Sequence, residues 1–145
     1  MIDEQVSNTI DRPVEDVFAF VTDFSNAPQF DTDIVEARRT SSGPIGRGSA
    51  YAVRLKPFMG QSQGTADITE YEPYRRAAMR LAFSPLRPTL TYLFEPTASG
   101  TKLTVRVQSQ PTGLLWLMQP IMRGVVRKRQ REIANDLKSV LERRR

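Results

Sequence analysis

The sequence contains no cysteine and no histidine. Without cysteine there is no disulfide, no thiolate nucleophile and no thiolate-bound metal, a composition that fits a reducing compartment. Without histidine the chain lacks the usual general base, the usual zinc ligand and the base of every Ser–His or Cys–His nucleophile pair. Any catalysis would therefore depend on carboxylates, tyrosine, lysine, arginine or water, and we expect no metal site and no cofactor.

Long apolar runs are also missing. No stretch approaches the roughly 18 consecutive apolar residues that identify a membrane span. The first residues, MIDEQVSNTI, have neither the basic start nor the apolar middle of a secretory signal. We therefore expect a soluble protein of the cytoplasm.

Charge is distributed unevenly along the chain. Nine basic and three acidic residues lie from Arg123 to Arg145, a net +6, so the first 122 residues, with 12 basic and 13 acidic side chains, contribute −1 to the formal +5. A basic C-terminal segment can attract nucleic acid or an anionic surface, or it can be the solvated face of a helix. The run RKRQR at 127–131 lacks interleaved aromatic residues, so nucleic acid is not favoured, while peripheral contact with an anionic surface stays open.

The length of 145 residues predicts a single domain over residues 1–145. A chain of this size buries about 70% of the surface that it exposes when unfolded, which is enough for a substantial core. Oligomeric state is not determined by the sequence.

The hydrophobic pattern begins with VSNTI at 6–10, which alternates as a strand does. Pro13 then suits the first position of a helix whose apolar residues recur at i, i+3, i+4 and i+7 from Val14. A second, broken helical turn is predicted over Asp23–Phe30, because Pro28 interrupts it. A strand is predicted over Ile34–Thr40.

The middle of the chain has a period of two. Four alternating segments are centred on Val53, Leu81, Tyr92 and Val105, each with polar residues between the apolar ones. This pattern is typical of antiparallel strands with one solvated face, and the short breaks FMG, EPY, SPLRP and TASG fit hairpins. Helical spacing returns over Leu115–Leu141, a length of roughly 40 Å at 1.5 Å per residue.

The resulting order is one strand, two short helices, six strands and one long helix. It predicts an α+β fold with a curved antiparallel sheet around the long C-terminal helix. The motifs IDRPVEDVFAFVTDFSNAPQF, GPIGRGS, ITEYEPYRRAAMR, YLFEPTASGTKLTVRV and IANDLKSVLE occur in this order. Together they resemble the START-like superfamily, also called SRPBCC, close to its polyketide cyclase/dehydrase and lipid-transport branch, from about Val6 to Glu142. The resemblance implies the helix-grip fold, in which a seven-stranded sheet grips the last helix and leaves an internal cavity for a hydrophobic molecule.

The resemblance implies no single reaction, because members carry lipids, bind plant metabolites, chaperone quinones or cyclise polyketides. Three hypotheses follow: a binder or carrier of a small hydrophobic or aromatic molecule, such as a lipid, quinone or polyketide; a polyketide cyclase or dehydratase-like enzyme that stabilises an enolate; and an interaction protein whose basic C-terminal helix docks on RNA, a ribosome or a membrane. The lack of histidine favours the binder over the enzyme. A buried Asp or Glu facing the cavity would favour the enzyme, and whether anything turns over stays open.

Ten side chains are candidates for ligand contact. Most are aromatic residues or methionines, which suit the wall of an adaptable apolar cavity or, alternatively, an ordinary packed core. Two are tyrosines whose hydroxyls need a partner when buried. The set is Phe20, Phe30, Tyr51, Met79, Phe83, Tyr92, Phe94, Met118, Met122 and Arg129.

Arg129 is the charged member of this set, and it falls on the apolar stripe of the C-terminal helix. A guanidinium there forms an internal ion pair, reaches solvent along its stem, or receives a carboxylate, phenolate or enolate of a ligand. Asp31 and Asp33, two positions apart near a turn, are interpreted as solvated loop residues and not as metal ligands.

Overall fold

The computed structural model of the chain describes residues 2–58, 61–83, 86–110 and 117–143. Within these residues the elements follow the predicted order of one strand, two short helices, six further strands and a long helix. The strands are β1 (Ile2–Ile10), β2 (Ile34–Arg39), β3 (Ala50–Phe58), β4 (Gln61–Glu72), β5 (Arg76–Ala82), β6 (Thr89–Pro96) and β7 (Thr101–Ser109). The helices are α1 (Val14–Thr22), a 3₁₀ helix (Phe24–Gln29) and α2 (Gln119–Arg143).

The seven strands of the described chain form one antiparallel sheet in the order β1-β7-β6-β5-β4-β3-β2. The pairing register shifts within β2, β3 and β4. Such irregularities bend strands and increase their twist, so they contribute to the curvature of the sheet. The predicted curved sheet with a long helix is therefore confirmed.

Burial follows the predicted period of two in β1 and at Tyr51 and Val53 of β3, whereas three consecutive residues are buried in β5 (77–79) and in β7 (103–105). In β3, Tyr51 and Val53 are buried, whereas Arg54, which follows Val53, is exposed. In β7, Leu103 is buried and Lys102 is exposed. One face of the sheet is thus apolar and carries the core.

β1 is longer than the predicted segment 6–10. It pairs with β7 along its whole length, from Ile2 opposite Ser109 to Ile10 opposite Thr101. The residues before Val6 are mostly polar, so their hydrophobicity alone does not predict a strand. Backbone pairing with a neighbouring strand extends the element beyond its apolar part.

α1 begins at Val14, one residue later than predicted. Pro13 has φ −58° and ψ 150° and lies just before the helix, where its carbonyl accepts hydrogen bonds from the N–H groups of Asp16 and Val17. The helix buries an apolar face against the sheet. The Phe18 ring makes an edge contact with Phe94 at 5.0 Å between centroids.

α2 packs mainly on β1 and touches the 3₁₀ helix. Its buried apolar residues Ala134, Leu137 and Leu141 lie in its C-terminal half, whereas Ile121 and Val125 near its N-terminus are 65% and 60% exposed. The predicted start at Leu115 lies outside the described residues. Within the described ranges, no helix has both the length and the apolar character needed to cross a membrane.

Candidate functional site

A cavity of about 660 Å³ lies between the apolar face of the sheet and α2. Residues of all seven strands, the 3₁₀ helix and α2 contribute to its wall. Most of the wall is aliphatic or aromatic, with Val53, Leu90, Val105 and Ile133 as typical members. The volume falls within the roughly 300–1,000 Å³ of small-molecule sites.

Along α2 the cavity has an exposed end and a buried end. Ile121 and Val125 of this helix line it and are exposed, so the cavity opens to the surface there. Leu137 of the same helix lines it at the other end and is buried. From residue 121 to residue 137 the helix rises about 24 Å at 1.5 Å per residue, so the space is elongated along α2.

Three charged residues meet at the side of this cavity. The Arg129 Nε donates to Asp33 Oδ2 at 2.7 Å, and its Nη2 donates to Asp31 Oδ2 at 2.7 Å and Oδ1 at 3.0 Å. The Asp31 side chain is only 11% exposed, whereas those of Arg129 and Asp33 are 39% and 51% exposed. All three residues line the cavity. We call them the Arg129 cluster.

The turn after the 3₁₀ helix positions the two carboxylates. The Asp31 N–H donates to the Ala27 carbonyl at 2.9 Å, which ties the residue to the end of that helix. The Asp33 N–H then donates to Asp31 Oδ1 at 3.0 Å. An aspartate that accepts from the amide two residues later forms a compact turn, and this one directs both side chains towards α2.

The interpretation of Asp31 and Asp33 as solvated loop residues was wrong for Asp31, which is buried, and incomplete for Asp33, which is ion-paired. Of the alternatives left open for Arg129, the structure shows the internal ion pair. The sequence indicated that Arg129, on the apolar stripe of the helix, would need a partner of opposite charge. The spacing of about a hundred residues between the partners hid which acid supplies it.

Burial and charge act in opposite directions within the Arg129 cluster. Burial raises the pKa of Asp31, and the attraction of Arg129 does not fully compensate. Burial would lower the pKa of Arg129, but the charges and hydrogen bonds of Asp31 and Asp33 outweigh it, so this pKa is raised. The guanidinium therefore stays charged.

Tyr92 brings a neutral polar group to the same cavity from β6. It is 5% exposed and lines the cavity, and its hydroxyl has no hydrogen-bond partner among the described residues. Burial raises the pKa of this hydroxyl, Asp31 raises it further and Arg129 opposes. The group therefore remains a phenol that can donate and accept. Gln130 of α2, also buried, adds an amide to the wall.

The structure divides the ten predicted ligand-contact residues into two sets. Six line the cavity: Phe30, Phe83, Tyr92, Met118, Met122 and Arg129. The other four are buried in the core and do not line it: Phe20, Tyr51, Met79 and Phe94. For this second set the alternative of ordinary core packing fits the structure, and ligand contact stays a prediction for all ten.

Tyr51 illustrates the second set. It is 1% exposed, and its ring packs edge-on against Phe24 with 6.0 Å between centroids. Its hydroxyl is buried near the Asp23 carboxylate without reaching hydrogen-bond geometry with any described residue. Burial, followed by the charge of Asp23, raises the pKa of this hydroxyl.

The sequence interpretation missed most of the aliphatic wall. These side chains have the same inward-facing parity as the aromatic residues that were named, so the pattern contained the signal. Aliphatic residues in a cavity wall and in a packed core have identical periodicity, however, because the separation between helix and sheet leaves no mark in the sequence. The missed residues include Val6, Val53, Leu55, Leu90, Val105, Val107 and Ile133.

The chain matches one protein family and is similar in fold to several solved structures. A family described as polyketide cyclase/dehydrase and lipid transport matches residues 1–142. A START superfamily protein from Mycobacterium smegmatis is 16% identical, with a TM-score of 0.78 and 97% of each chain covered. A protein from Thermus thermophilus is 12% identical, with a TM-score of 0.78 and 96% of each chain covered.

The di-domain ARO/CYC protein BexL of the BE-7585A biosynthetic pathway is 18% identical, with a TM-score of 0.70, and the match covers 96% of this chain and 46% of that one. No curated protein sequence matches the chain. At such identities the structural likenesses establish the fold alone. They confirm the helix-grip fold, and the family match over residues 1–142 confirms the superfamily that the sequence motifs indicated.

Proposed function

Because the chain belongs to the polyketide cyclase/dehydrase and lipid-transport family, we propose that it binds and carries a small hydrophobic or aromatic molecule, such as a lipid, a quinone or a polyketide-like compound. The single observation that carries this proposal is the cavity of about 660 Å³ with its mainly apolar wall. Protein interiors are normally packed without voids of this size. Apolar surface facing water is unfavourable, and an apolar ligand would remove that surface from water.

The shape of the cavity supports a carrier. Its exposed end gives a route for entry and release, and Met118, just before α2, and Met122, in its first turn, lie in the wall. Methionine is flexible and polarisable, so it adapts to ligands of different shape. The elongated space suits a chain or a linear ring system better than a compact molecule.

Native mass spectrometry of protein purified from its own host tests the proposal. We expect a co-purifying apolar molecule at a stoichiometry near one, which is released on denaturation and identified by its mass. A thermal-shift screen of apolar chains and aromatic compounds provides the second readout. Repeated preparations without a bound molecule, together with no shift across the screen, would contradict the proposal.

A matched pair of variants on β6 separates cavity binding from surface binding. Leu90 lines the cavity, whereas Leu93 of the same strand is half-buried and is not part of its wall. We expect Leu90→Trp to fill the cavity and to abolish the thermal shift of a ligand found in the screen. Leu93→Trp should retain that shift, and equal effects of the two variants would place binding elsewhere.

One observation favours the enzyme as a second candidate: Asp31 is a buried carboxylate that lines the cavity close to Tyr92. Both oxygens of Asp31 accept hydrogen bonds from Arg129, and Oδ1 also accepts one from the Asp33 N–H, which leaves little capacity for a general base. Deuterium exchange at the α-carbons of 2-tridecanone in D₂O distinguishes the candidates. Accelerated exchange that is lost in Asp31→Asn would support an enolising enzyme, and background exchange would support the binder.

The sequence left contact with an anionic surface open, and the exposed start of α2 favours an anionic membrane as that surface. Ile121 and Val125 present apolar side chains beside the cavity opening, and Lys128 lies exposed nearby on the same helix. Apolar residues flanked by cations are typical of helices that lie at anionic bilayers. We expect the protein to co-sediment with phosphatidylserine vesicles and Ile121→Asp to weaken this binding. Val35→Asp, at an exposed position of β2, is the control and should leave it unchanged. Equal binding by the two variants would contradict membrane contact through α2.

A further inference from the structure

The Arg129 cluster contains one cation and two carboxylates, so its formal charge is −1. Each carboxylate already holds the guanidinium at 2.7 Å. The positive charge of Arg129 is therefore already compensated by Asp31 and Asp33 in the ligand-free protein. The Nη1 hydrogens of Arg129 have no partner among the described residues, so the arginine can still donate a hydrogen bond to a neutral oxygen.

Asp31 and Arg129 are the charges that act on the Tyr92 hydroxyl inside the cavity. Asp31 raises the pKa of this hydroxyl, and Arg129 lowers it by less. A phenolate at this position is thus disfavoured by the nearest charges as well as by burial. Any ligand anion placed beside Tyr92 would experience the same field, because in a low-dielectric site a charge acts over several ångströms.

A neutral polar group of a ligand would instead be stabilised at the same place by hydrogen bonds. The Tyr92 hydroxyl has no hydrogen-bond partner among the described residues, and the buried Gln130 amide lies in the same wall without one. A ligand carbonyl can accept from either group, and a ligand hydroxyl can also donate to them. Satisfying a buried polar group that otherwise lacks a partner is favourable.

One other charged side chain lines the cavity in the described parts of the chain. Lys56 is exposed, and its N–H donates to the Asp33 carbonyl at 2.9 Å, so it lies beside the Arg129 cluster. Its side chain could hold an anion at the surface, with the apolar part of the ligand inside. This arrangement is distinguishable by mutation, because Lys56→Gln removes the cation and leaves the three side chains of the Arg129 cluster in place.

We propose that the Arg129 cluster makes the cavity selective for ligands whose polar group is neutral, a carbonyl or a hydroxyl held by Tyr92, and against carboxylates of the same shape. The inference rests on the proposed function and names its ligand class: an elongated apolar chain or ring system with a neutral oxygen. It differs from the alternative in which Arg129 receives an anionic group.

The test compares isosteric ligand pairs that differ only in charge. 2-Tridecanone and dodecanoate form an aliphatic pair, and 2-acetylanthracene and 2-anthracenecarboxylate form an aromatic, fluorescent pair. Dissociation constants are measured at pH 7.5 by calorimetry and fluorescence. Desolvation alone disfavours a carboxylate in an apolar cavity. The diagnostic quantity is therefore the change in the ketone-to-carboxylate affinity ratio when the cluster is altered.

Asp33→Asn and the double variant Asp31→Asn/Asp33→Asn remove one and two negative charges while they preserve shape. We expect the carboxylate to gain about tenfold in affinity in the double variant, with a smaller gain in Asp33→Asn, while the ketone changes by less than about threefold. Asp136→Asn, on the exposed face of α2, changes the net charge by the same amount as Asp33→Asn and should leave the ratio unchanged. Asp33→Asn decides the question if the double variant does not fold.

Tyr92→Phe and Lys56→Gln complete the set. Removal of the Tyr92 hydroxyl should weaken the ketone by about threefold to tenfold and leave the carboxylate unaffected. Residual carboxylate binding should be lost in Lys56→Gln, which would place that anion beside Lys56 and outside the Arg129 cluster. An affinity ratio that stays constant in Asp33→Asn and in Tyr92→Phe would overturn the inference. Failure of both ketones to bind the natural sequence would instead overturn the proposed function itself.

Discussion

At the scale of single residues, Arg129 shows how a cation is accommodated on the sheet-facing side of a helix. Removing a charge from water is unfavourable unless a partner of opposite sign and good hydrogen bonds accompany it. Asp31 and Asp33 supply both, at 2.7 Å each. The ion pair joins α2 to the turn after the 3₁₀ helix, across the cavity wall.

Arg129→Met should therefore destabilise the protein, because it leaves the buried Asp31 carboxylate without its partner. We expect the free energy of unfolding to fall by about 1–3 kcal/mol, less than for a fully buried pair because the Arg129 side chain is 39% exposed. Urea denaturation at pH 7 measures the change. Arg54→Met, which removes an exposed ion pair with Glu36, should cost less than about 0.5 kcal/mol. Increased stability of Arg129→Met would contradict this account.

Residue-level prediction from the sequence was limited by distance along the chain. The position of Arg129 on the apolar stripe followed from helical periodicity alone. Its partners did not, because they lie 98 and 96 residues away. Tyr51 and Tyr92 were equivalent in the sequence, since both face inward by parity. Only the path of α2 over the sheet distinguishes the core tyrosine from the cavity tyrosine.

At the scale of elements, the two halves of α2 have different roles. The C-terminal half is anchored by buried leucines and by two bonds to β1, from the Asn8 Nδ2 to the Ala134 carbonyl at 3.0 Å and from the Lys138 Nζ to the Thr9 carbonyl at 2.6 Å. Both halves line the cavity, but the exposed apolar residues Ile121 and Val125 lie in the N-terminal half. One half thus holds the fold and the other borders the opening.

This division predicts opposite outcomes for two truncations on α2. Leu141→Ala should lower the free energy of unfolding by about 2–5 kcal/mol, because Leu141 is buried in the core. Val125→Ala should change it by less than about 0.5 kcal/mol, because Val125 is 60% exposed. Both are measured by urea denaturation. Similar losses at the two sites would show that the halves are equally packed.

Glu142 near the end of α2 predicts a pH dependence. Its hydrogen bond from Lys138, and then that from the Asp11 N–H, lower its pKa below the ordinary value of 4.5. A carboxylate whose folded-state pKa is depressed stabilises the fold above pH 4.5, and this contribution is lost as the pH falls through the folded-state pKa. The stability advantage of the natural sequence over Glu142→Gln should therefore shrink below pH 4.5.

Chemical denaturation between pH 3 and pH 7 measures this advantage directly. Glu132→Gln serves as the control, because Glu132 lies exposed on the same helix and forms no ion pair with the described residues. The control should show no comparable loss of advantage at low pH. Parallel curves for the two variants would assign the effect to general charge and not to the Glu142 contacts.

Elements were predicted more completely than residues because their signals are local. The change of period from two to 3.6 identified the strands and the long helix. The polar start of β1 escaped because its structure depends on pairing with β7. The misplacement of Pro13 by one position reflects the same limit, since its extended ψ of 150° is set by the chain entering α1.

At the scale of the whole molecule, the cavity results from how the helix and the sheet are joined. α2 packs mainly on β1 at one edge of the sheet, and β2 forms the other edge. The space between is bounded by the 3₁₀ helix and the Arg129 cluster. The family resemblance predicted such a hollow, whereas its volume and its opening required the three-dimensional structure.

The central claim, that an apolar ligand occupies this cavity, is tested most directly by intermolecular nuclear Overhauser effects. The sample is methyl-labelled protein saturated with unlabelled 2-tridecanone. The account predicts contacts from the ligand chain to the methyl groups of Leu90, Val105 and Ile133, which line the cavity. Contacts confined to the outward-facing Leu93 and Val35 would contradict it.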